Sequence, residues 1–253
     1  MSAARADAVA ARPERVEEIR AGLAAVEERI TAACAAAGRA REEVTLIVVT
    51  KTFPASDIRI LAGLGVRDVG ENKVQEAHAK AEAASYDGLR LHLIGQLQRN
   101  KAAEAARLAD TVHSLDRPKL VAALAHGRER AGLAEPLRVL IQISLDGDPE
   151  RGGAPRDTIP ALAEAVLAQP LLRLGGVMAV PPLAADPAAA FADLAGLAAA
   201  VRRSAPEADW ISAGMSADLE AAVAAGATHL RVGTAILGTH SLFPPDVLAV
   251  APA

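Results

Sequence analysis

The 253-residue chain has 27 basic and 31 acidic side chains, a net charge of -4, and only 2% aromatic residues. The charges are interspersed, and without a basic stripe we expect no nucleic-acid partner. The single cysteine, Cys34, excludes an intrachain disulfide and a cysteine-rich metal site. The sequence contains no run of about 18 uncharged apolar residues, so we predict no membrane span, and its start does not have the pattern of a signal peptide. We expect a soluble, cytoplasmic monomer with no membrane partner.

The first predicted element is a helix. Between residues 13 and about 38, apolar residues recur at steps of three and four, with a proline in the first turn and a glycine at the end. Eight short apolar segments follow, and we predict that each is a strand. They are VTLIVVT, RDVGE, LHLIG, TVHSLD, LRVLIQIS, LRLGGVMAV, DWISAG and THLRVG.

Segments of helical pattern separate these strands, at residues 56–64, 73–84, 100–108, 119–131, 158–167, 187–201 and 216–225. Regular alternation of strand and helix predicts parallel strands with right-handed crossovers, and eight such units close into a barrel. We therefore predict the α/β class and a single (β/α)8 barrel domain over 1–253, with the leading helix in 1–40 and the barrel in 44–240. An open doubly wound sheet is the alternative, although no GxGxxG follows the first strand.

The functional face of such a barrel is built by the loops at the carboxyl ends of its strands. Polar residues and a methionine fall at seven of these ends. They are Lys51 after the first strand, Glu71 and Asn72 after the second, Gln96 and Asn100 after the third, Asp116 and Arg117 after the fourth, Met178 after the sixth, Ser212, Gly214 and Ser216 after the seventh, and Arg231, Gly233 and Thr234 after the eighth.

Lys51 directly follows the apolar segment VTLIVVT. An amine held where a strand leaves an apolar core loses hydration, which lowers its pKa and frees it to attack a carbonyl. Lys51 is therefore a Schiff-base candidate. The alternative is an ordinary lysine at the end of a strand, with its ammonium group in solvent.

The last two loops, SAGMSADLEAA and RVGTAILG, combine glycines, hydroxyls and helix starts, which are features that bind phosphate. Alternatively, Ser216 caps a helix and the glycines serve tight turns; Asp218 is expected to face away from a bound phosphate. Arg231 inside a barrel needs an anionic or strongly accepting partner, unless it forms a surface ion pair. An amine, an arginine and a phosphate cradle on adjoining strands would suit pyridoxal 5'-phosphate, joined to Lys51 and with Arg231 at its ring nitrogen.

Other groups of polar residues give weaker signals. Three histidines, His92, His113 and His229, lie on separate strands without the spacing of metal ligands, so we expect packed or strand-end residues and no metal site. Asp116 and Arg117 are adjacent, which indicates a local ion pair or a helix cap.

Six segments together resemble the pyridoxal phosphate homeostasis proteins over nearly the whole chain. They are VTKTFPASDI, GENKVQEA, LHLIGQLQRNKA, HSLDR, GVMAVPP and ISAGMSADLEAAVAAGATHLRVGTAILG. The resemblance implies a barrel of the alanine-racemase N-domain type (PLP fold type III), which holds the cofactor as an internal aldimine on Lys51. It implies that Arg231 faces the pyridine nitrogen. The other predicted cofactor-binding residues are Asn72, Met178, Ser212, Gly214, Met215, Ser216, Gly233 and Thr234.

The sequence departs from this family's pattern at three positions. Ser144 stands where asparagine is usual, Arg151 where lysine is usual, and Ala213 where a bulkier residue is common. These departures concern the polar contacts of the fifth loop and not cofactor binding.

The resemblance implies a carrier of the cofactor in vitamin B6 homeostasis that affects amino-acid metabolism indirectly, without substantial turnover and with apo forms of cofactor-dependent enzymes as partners. The alternative is a racemase-like enzyme, which needs an acid-base residue on each face of its substrate. The second is usually a tyrosine from an added domain, whereas this sequence ends soon after its eighth strand and its one tyrosine, Tyr86, is predicted at the opposite end of the barrel. A phosphosugar enzyme with Lys51 as an aldolase-type amine is a third possibility.

Overall fold

The computed structural model describes residues 12–83, 86–148, 151–182 and 184–239. Eight parallel strands pair in chain order, and β1 pairs with β8 to close the barrel. This closure confirms the predicted (β/α)8 fold and excludes the open sheet. The strands are β1 Thr45–Val49, β2 Asp68–Glu71, β3 Arg90–Leu93, β4 Thr111–Leu115, β5 Leu137–Gln142, β6 Leu172–Met178, β7 Trp210–Ser212 and β8 His229–Val232.

The helices occupy the predicted segments, with one addition at the end of the barrel. They are α1 Pro13–Ala36, α2 Ala55–Gly63, α3 Val74–Ala83, α4 Ala102–Leu108, α5 Pro118–Arg130, α6 Ile159–Leu167, α7 Pro187–Ser204, α8 Leu219–Ala224 and α9 Thr234–Leu237. α9 was not predicted, because four residues are too few to show a helical period. The predicted limits 1–40, 44–240 and 73–84 each include residues outside those described. None of the described helices is long and apolar enough to cross a bilayer.

The apolar core lies between the strands and the surrounding helices. Val48 of β1 belongs to the main apolar cluster, whereas its neighbours Ile47 and Val49 are buried but do not. Since alternate residues of a strand face opposite sides, Val48 faces the helices, while Ile47 and Val49 face the barrel interior. Fully buried Leu124 of α5 and Phe191 of α7 belong to the same outer layer. The barrel interior is therefore free to hold polar side chains.

The leading helix α1 packs against α8 and α9 beside the closing strands. Arg15 of α1 donates a hydrogen bond of 2.6 Å to Asp57 Oδ2 and one of 3.0 Å to the carbonyl oxygen of Leu237. At Gly22 the approach is so close that a Cβ atom would lie 2.6 Å from the carbonyl oxygen of Ile236. Glycine at this position lets α1 cover the end of the eighth βα unit.

This contact predicts that Gly22→Ala destabilises the fold. The added methyl group must displace the α9 backbone, and overpacking of this kind costs about 1–3 kcal/mol. Gly196→Ala is the matched control, because Gly196 lies inside α7 with open space where its Cβ would stand. There alanine should stabilise by about 0.5–1 kcal/mol. Urea unfolding of both variants checks this; shifts of the same sign would contradict the packing of α1.

Candidate functional site

A cavity of about 520 Å³ opens at the carboxyl ends of the strands. The volume falls within the range of small-molecule sites in proteins. Eight of the ten residues predicted to bind a cofactor line this cavity; the other two, Ser212 and Gly214, lie behind its wall. The eight are Lys51, Asn72, Met178, Met215, Ser216, Arg231, Gly233 and Thr234.

Lys51 and Arg231 approach the cavity from different depths. Arg231 is in register with Ile47 of β1, and Lys51 follows Ile47 by four residues, past the end of the strand. Lys51 is exposed. The expectation that an apolar surrounding desolvates Lys51 is therefore wrong, because the residue lies beyond the end of β1, in a turn at the open end of the cavity. Arg231 lies deeper, at the cavity floor.

Arg231 is a buried cation, with only 4% of its surface exposed. Its guanidinium donates a 2.7 Å hydrogen bond to Ser212 Oγ and a 3.0 Å hydrogen bond to the carbonyl oxygen of Ala179. Burial lowers the pKa of Arg231 to about 10, so the group stays charged at neutral pH. Within the described residues we find no carboxylate at ion-pair distance from it, and its burial excludes the surface ion pair.

A chain of hydrogen bonds leads from Arg231 through the barrel interior. Ser212 Oγ lies 2.9 Å from His113 Nδ1. His113 Nε2 lies 2.9 Å from His92 Nδ1, and His92 Nε2 lies 2.9 Å from Asp68 Oδ1. Asp68 is at the amino end of β2, so the chain connects the cavity floor with the opposite end of the barrel. The expectation of packed histidines is confirmed, but their connection was not predicted.

The hydrogen positions in this chain are assigned from the groups at its two ends. Arg231 can only donate to Ser212, and we assign the hydroxyl hydrogen of Ser212 to the bond with His113 Nδ1. His113 consequently carries its hydrogen on Nε2 and donates to His92, which in turn donates from Nε2 to the Asp68 carboxylate. Burial lowers the pKa of His113 well below 6.5, which agrees with a neutral ring.

The carboxylate at the far end is kept ionised. Burial raises the pKa of Asp68, but hydrogen bonds from His92 and Arg90 outweigh burial and bring the pKa down to about 2. The Arg90 guanidinium bonds both carboxylate oxygens. The chain thus runs from a cation at the cavity floor to an anion at the other end of the barrel, through Ser212, His113 and His92.

Ser212 and Gly214 support the cavity from behind its wall. Ser212 is fully buried and holds the Arg231 guanidinium. The carbonyl oxygen of Gly214 accepts a 2.9 Å hydrogen bond from the Arg231 backbone N–H. Gly214 has φ +90°, and a Cβ there would lie 2.6 Å from Ala222 Cβ. This glycine is therefore required by the turn between β7 and α8.

Two hydroxyl groups meet at the cavity wall, where Ser216 Oγ lies 3.4 Å from Thr234 Oγ1. Ser216 does not cap α8, because Asp218 occupies the cap position. The Asp218 carboxylate accepts a 2.6 Å hydrogen bond from the Met215 backbone N–H and is not among the lining residues. The wall at this point therefore presents hydroxyls and no carboxylate.

Sequence reasoning missed several lining residues. Gln142 is the last residue of β5, on the same side of the strand as buried Leu140, so its position could have been found from strand alternation. Arg151 binds Asp146 Oδ2 at 2.6 Å and the carbonyl oxygen of Pro181 at 2.7 Å. It therefore joins the loops after β5 and β6, a role that only the folded chain reveals. The others are Val49, Thr52, Phe53, Ile94, Gly95, Val180, Ala217, Gly238 and Thr239.

Some strand-end residues take other roles. Asp116 and Arg117 form the expected ion pair with each other. Of the third-strand candidates, Gln96 lines the cavity and Asn100 does not. Glu71 is fully buried and bonds Lys80 of α3 on the other side of its strand. The part of the chain that the structure describes contains no group of three His, Cys, Asp or Glu side chains that could hold a metal ion.

The comparisons with known proteins agree with this geometry. Residues 8–241 match the family model of the alanine racemase N-terminal domain. The pyridoxal phosphate homeostasis protein of Mycobacterium tuberculosis (strain H37Rv) is 44% identical over 257 residues, with 94% of this chain and 98% of the relative covered. The Escherichia coli K12 protein of the same name is 38% identical, with 89% and 98% covered.

The chain belongs to the pyridoxal phosphate homeostasis protein family.

A solved structure places a ligand in this family. The structure of PipY from Synechococcus elongatus with PLP bound is 35% identical to this chain, with a TM-score of 0.69, and the match covers 78% of this chain and 93% of PipY. Buried histidines, Asp68 and Arg231 lie inside the barrel of this chain, which affects its response to acid.

The buried histidines predict a loss of stability as the pH falls. Burial lowers the pKa of His229 to about 3 and that of His113 well below 6.5, whereas histidines of the unfolded chain titrate near about 6.5. Below that value the unfolded chain binds more protons than the folded one. The unfolding free energy should therefore fall by about 1.4 kcal/mol per pH unit for each such histidine. Asp68 contributes only below about pH 4, since its folded pKa is about 2.

Urea unfolding over a pH series between about 7.5 and 5 measures this slope. His229→Phe should reduce the slope by about 1.4 kcal/mol per pH unit, which is the contribution of one proton. The control His126→Gln should not, because the side chain of His126 is 64% exposed. Equal slopes for the wild type and His229→Phe would show that His229 is not held neutral.

Proposed function

We propose that this protein binds pyridoxal 5'-phosphate in the cavity and carries it in vitamin B6 homeostasis. The observation that carries the proposal is the buried Arg231, a permanent cation at the floor of a cavity whose open end holds the primary amine of Lys51. A charge that is removed from water needs an acceptor. The bound ligand of the PipY structure and the shared name of the relatives support the same conclusion.

The residues of the cavity fit the groups of this cofactor. When bound, it supplies an aldehyde that an amine can hold covalently and a pyridine ring that can accept electrons. We assign Lys51 to the aldehyde and Arg231 to the ring nitrogen. Ser216, Gly233 and Thr234 would hold the phosphate through hydroxyl and backbone donors. The remaining predicted residues, Asn72, Met178 and Met215, would flank the ring.

Binding without substantial turnover is the activity that this cavity favours. Racemisation needs an acid-base group on each face of the substrate, and Lys51 supplies one. No tyrosine, histidine, cysteine or carboxylate occurs among the described residues that line the cavity, and Tyr86 is not one of them. A guanidinium at the ring nitrogen also keeps that nitrogen unprotonated, which weakens the ring as an electron acceptor. We place this role in the cytoplasm, with apo forms of cofactor-dependent enzymes as recipients.

Lys51→Ala should abolish covalent binding. Added pyridoxal 5'-phosphate should give the wild type a visible absorbance band that borohydride removes, and reduced protein should carry the label on the Lys51 peptide. Lys119→Ala is the control, because Lys119 is exposed on α5 and does not line the cavity. A Lys51→Ala protein that kept the reducible band would rule out the assignment. Wild type with no visible band would favour the aldolase-type alternative.

The carrier proposal predicts no useful conversion of amino acids. Incubation of the cofactor-loaded protein with D-alanine and with L-alanine should leave each enantiomer unchanged, as chiral chromatography would show. Transfer of the cofactor to an apo acceptor enzyme should proceed in the same preparation. Conversion at a rate near the median for enzymes, about 10 per second, that was lost in Lys51→Ala would establish the racemase alternative.

A further inference from the structure

The backbone beside Lys51 has an unusual conformation. Thr52 has φ +66°, and it is the one non-glycine residue with positive φ in the part of the chain that the structure describes. A positive φ is unfavourable for a β-branched residue, because the branched side chain crowds the backbone. Such a conformation persists only where surrounding contacts hold it. The contacts that hold Thr52 are therefore informative about Lys51.

A group of charged residues, of which Glu71 and Lys80 are buried and Glu76 is partly exposed, supplies these contacts. We call Glu71, Glu76 and Lys80 the carboxylate–lysine cluster. Lys80 Nζ lies 2.7 Å from Glu71 Oε1 and 2.8 Å from Glu76 Oε1, and it donates a 2.7 Å hydrogen bond to the carbonyl oxygen of Thr50. All three hydrogens of the ammonium group are thus used.

The cluster forms hydrogen bonds with the chain on both sides of Lys51. On one side, the Thr50 hydroxyl donates a 2.6 Å hydrogen bond to Glu71 Oε1, and the Thr50 carbonyl oxygen accepts from Lys80. On the other side, the Thr52 backbone N–H donates to Glu76 Oε1. Residues 50 and 52 are therefore fixed by α3 and by the end of β2, while the Lys51 side chain between them stays exposed.

Stability alone does not explain this arrangement. Lys80 is nearly buried and Glu71 is fully buried, and buried ion pairs contribute little net stability because both partners lose hydration. Within the described residues, Glu71 Oε2 has no hydrogen-bond partner, and burial raises the pKa of Glu71. A cluster that contributes little stability and an unfavourable backbone conformation therefore both lie next to Lys51.

We propose that Lys80 and Glu76 are positioning residues that hold Lys51 in the orientation in which it binds and retains an aldehyde. The inference rests on the proposed function, since it concerns the same amine. In the reaction, Lys51 Nζ replaces the carbonyl oxygen, which leaves as water with two hydrogens of the amine; release reverses this step and consumes water. Fixing the backbone of residues 50–52 raises the rate of capture, because the amine starts near its attacking position.

Two substitutions of Thr52 test the backbone directly. Thr52→Gly should keep the turn, since glycine adopts positive φ without strain. Thr52→Pro should destroy the turn, because proline fixes φ near about -65° and has no N–H for Glu76. With pyridoxal 5'-phosphate as the probe, Thr52→Pro should label at least about tenfold more slowly than both the wild type and Thr52→Gly. Equal rates for Thr52→Pro and the wild type would overturn the proposal.

The cluster is tested by Lys80→Met, alone and combined with Thr52→Gly. The single variant should slow labelling about tenfold, because Thr52 can then relax to negative φ. The double variant should recover part of the rate, since glycine has no strain to relax; a role of Lys80 in stability alone predicts no recovery. Failure of the double variant to label faster than Lys80→Met would overturn the role of Lys80.

A measurement without cofactor protects the test against variants that fail to fold. In apo-protein, hydrogen exchange at the Thr52 amide should be slow in the wild type and at least about tenfold faster in Glu76→Gln, whose neutral amide is the weaker acceptor. Equally rapid exchange in both proteins would show that Glu76 does not hold the Thr52 backbone N–H. If the wild type shows slow exchange but no label on Lys51, the proposed function fails and the positioning of the backbone does not.

Discussion

A permanently charged guanidinium enclosed at the centre of the barrel is the constraint on which the rest of the site depends. Arg231 cannot lose its proton at neutral pH. The two described groups that accept hydrogen bonds from its side chain, the Ser212 hydroxyl and the backbone carbonyl oxygen of Ala179, are both neutral. Full compensation of a buried cation requires an opposite charge. Burial lowers the pKa of Arg231 more than the charge of Asp218 raises it, and the Asp68 carboxylate lies at the far end of a histidine chain. The cavity therefore offers a place for a further acceptor.

This constraint explains why the fold has two interiors of different character. Polar groups share the inside of the barrel with Ile47 and Val49, and the main apolar core lies between strands and helices, where leucine, valine, isoleucine and alanine fill it. The outer layer maintains the barrel, and the inner chain orients Arg231. A change in one histidine therefore alters the hydrogen-bond direction at the cavity floor without removing a large apolar side chain.

The sequence predicted the architecture and much of the cavity wall because both depend on local periodicity. Strand ends mark the functional face of a barrel, and this rule located Lys51 and Thr234, whereas Arg231 lies within β8 and not after it. It left open whether Lys51 is desolvated or exposed, because the exposure depends on a turn with an unusual φ at the next residue. Nor could it link His92 to His113, because the register between β3 and β4, which pairs His92 with Thr111, sets which side chains share a level.

Two groups of charged residues act on different parts of the cavity. Arg231 places a positive charge at the cavity floor. The carboxylate–lysine cluster lies behind Lys51 at the open end. The hydrogen bonds to Thr50 and Thr52 meanwhile prevent the lysine backbone from moving away. The cavity is thus preorganised for a ligand that brings negative charge and an accepting ring, and such preorganisation reduces the cost of binding.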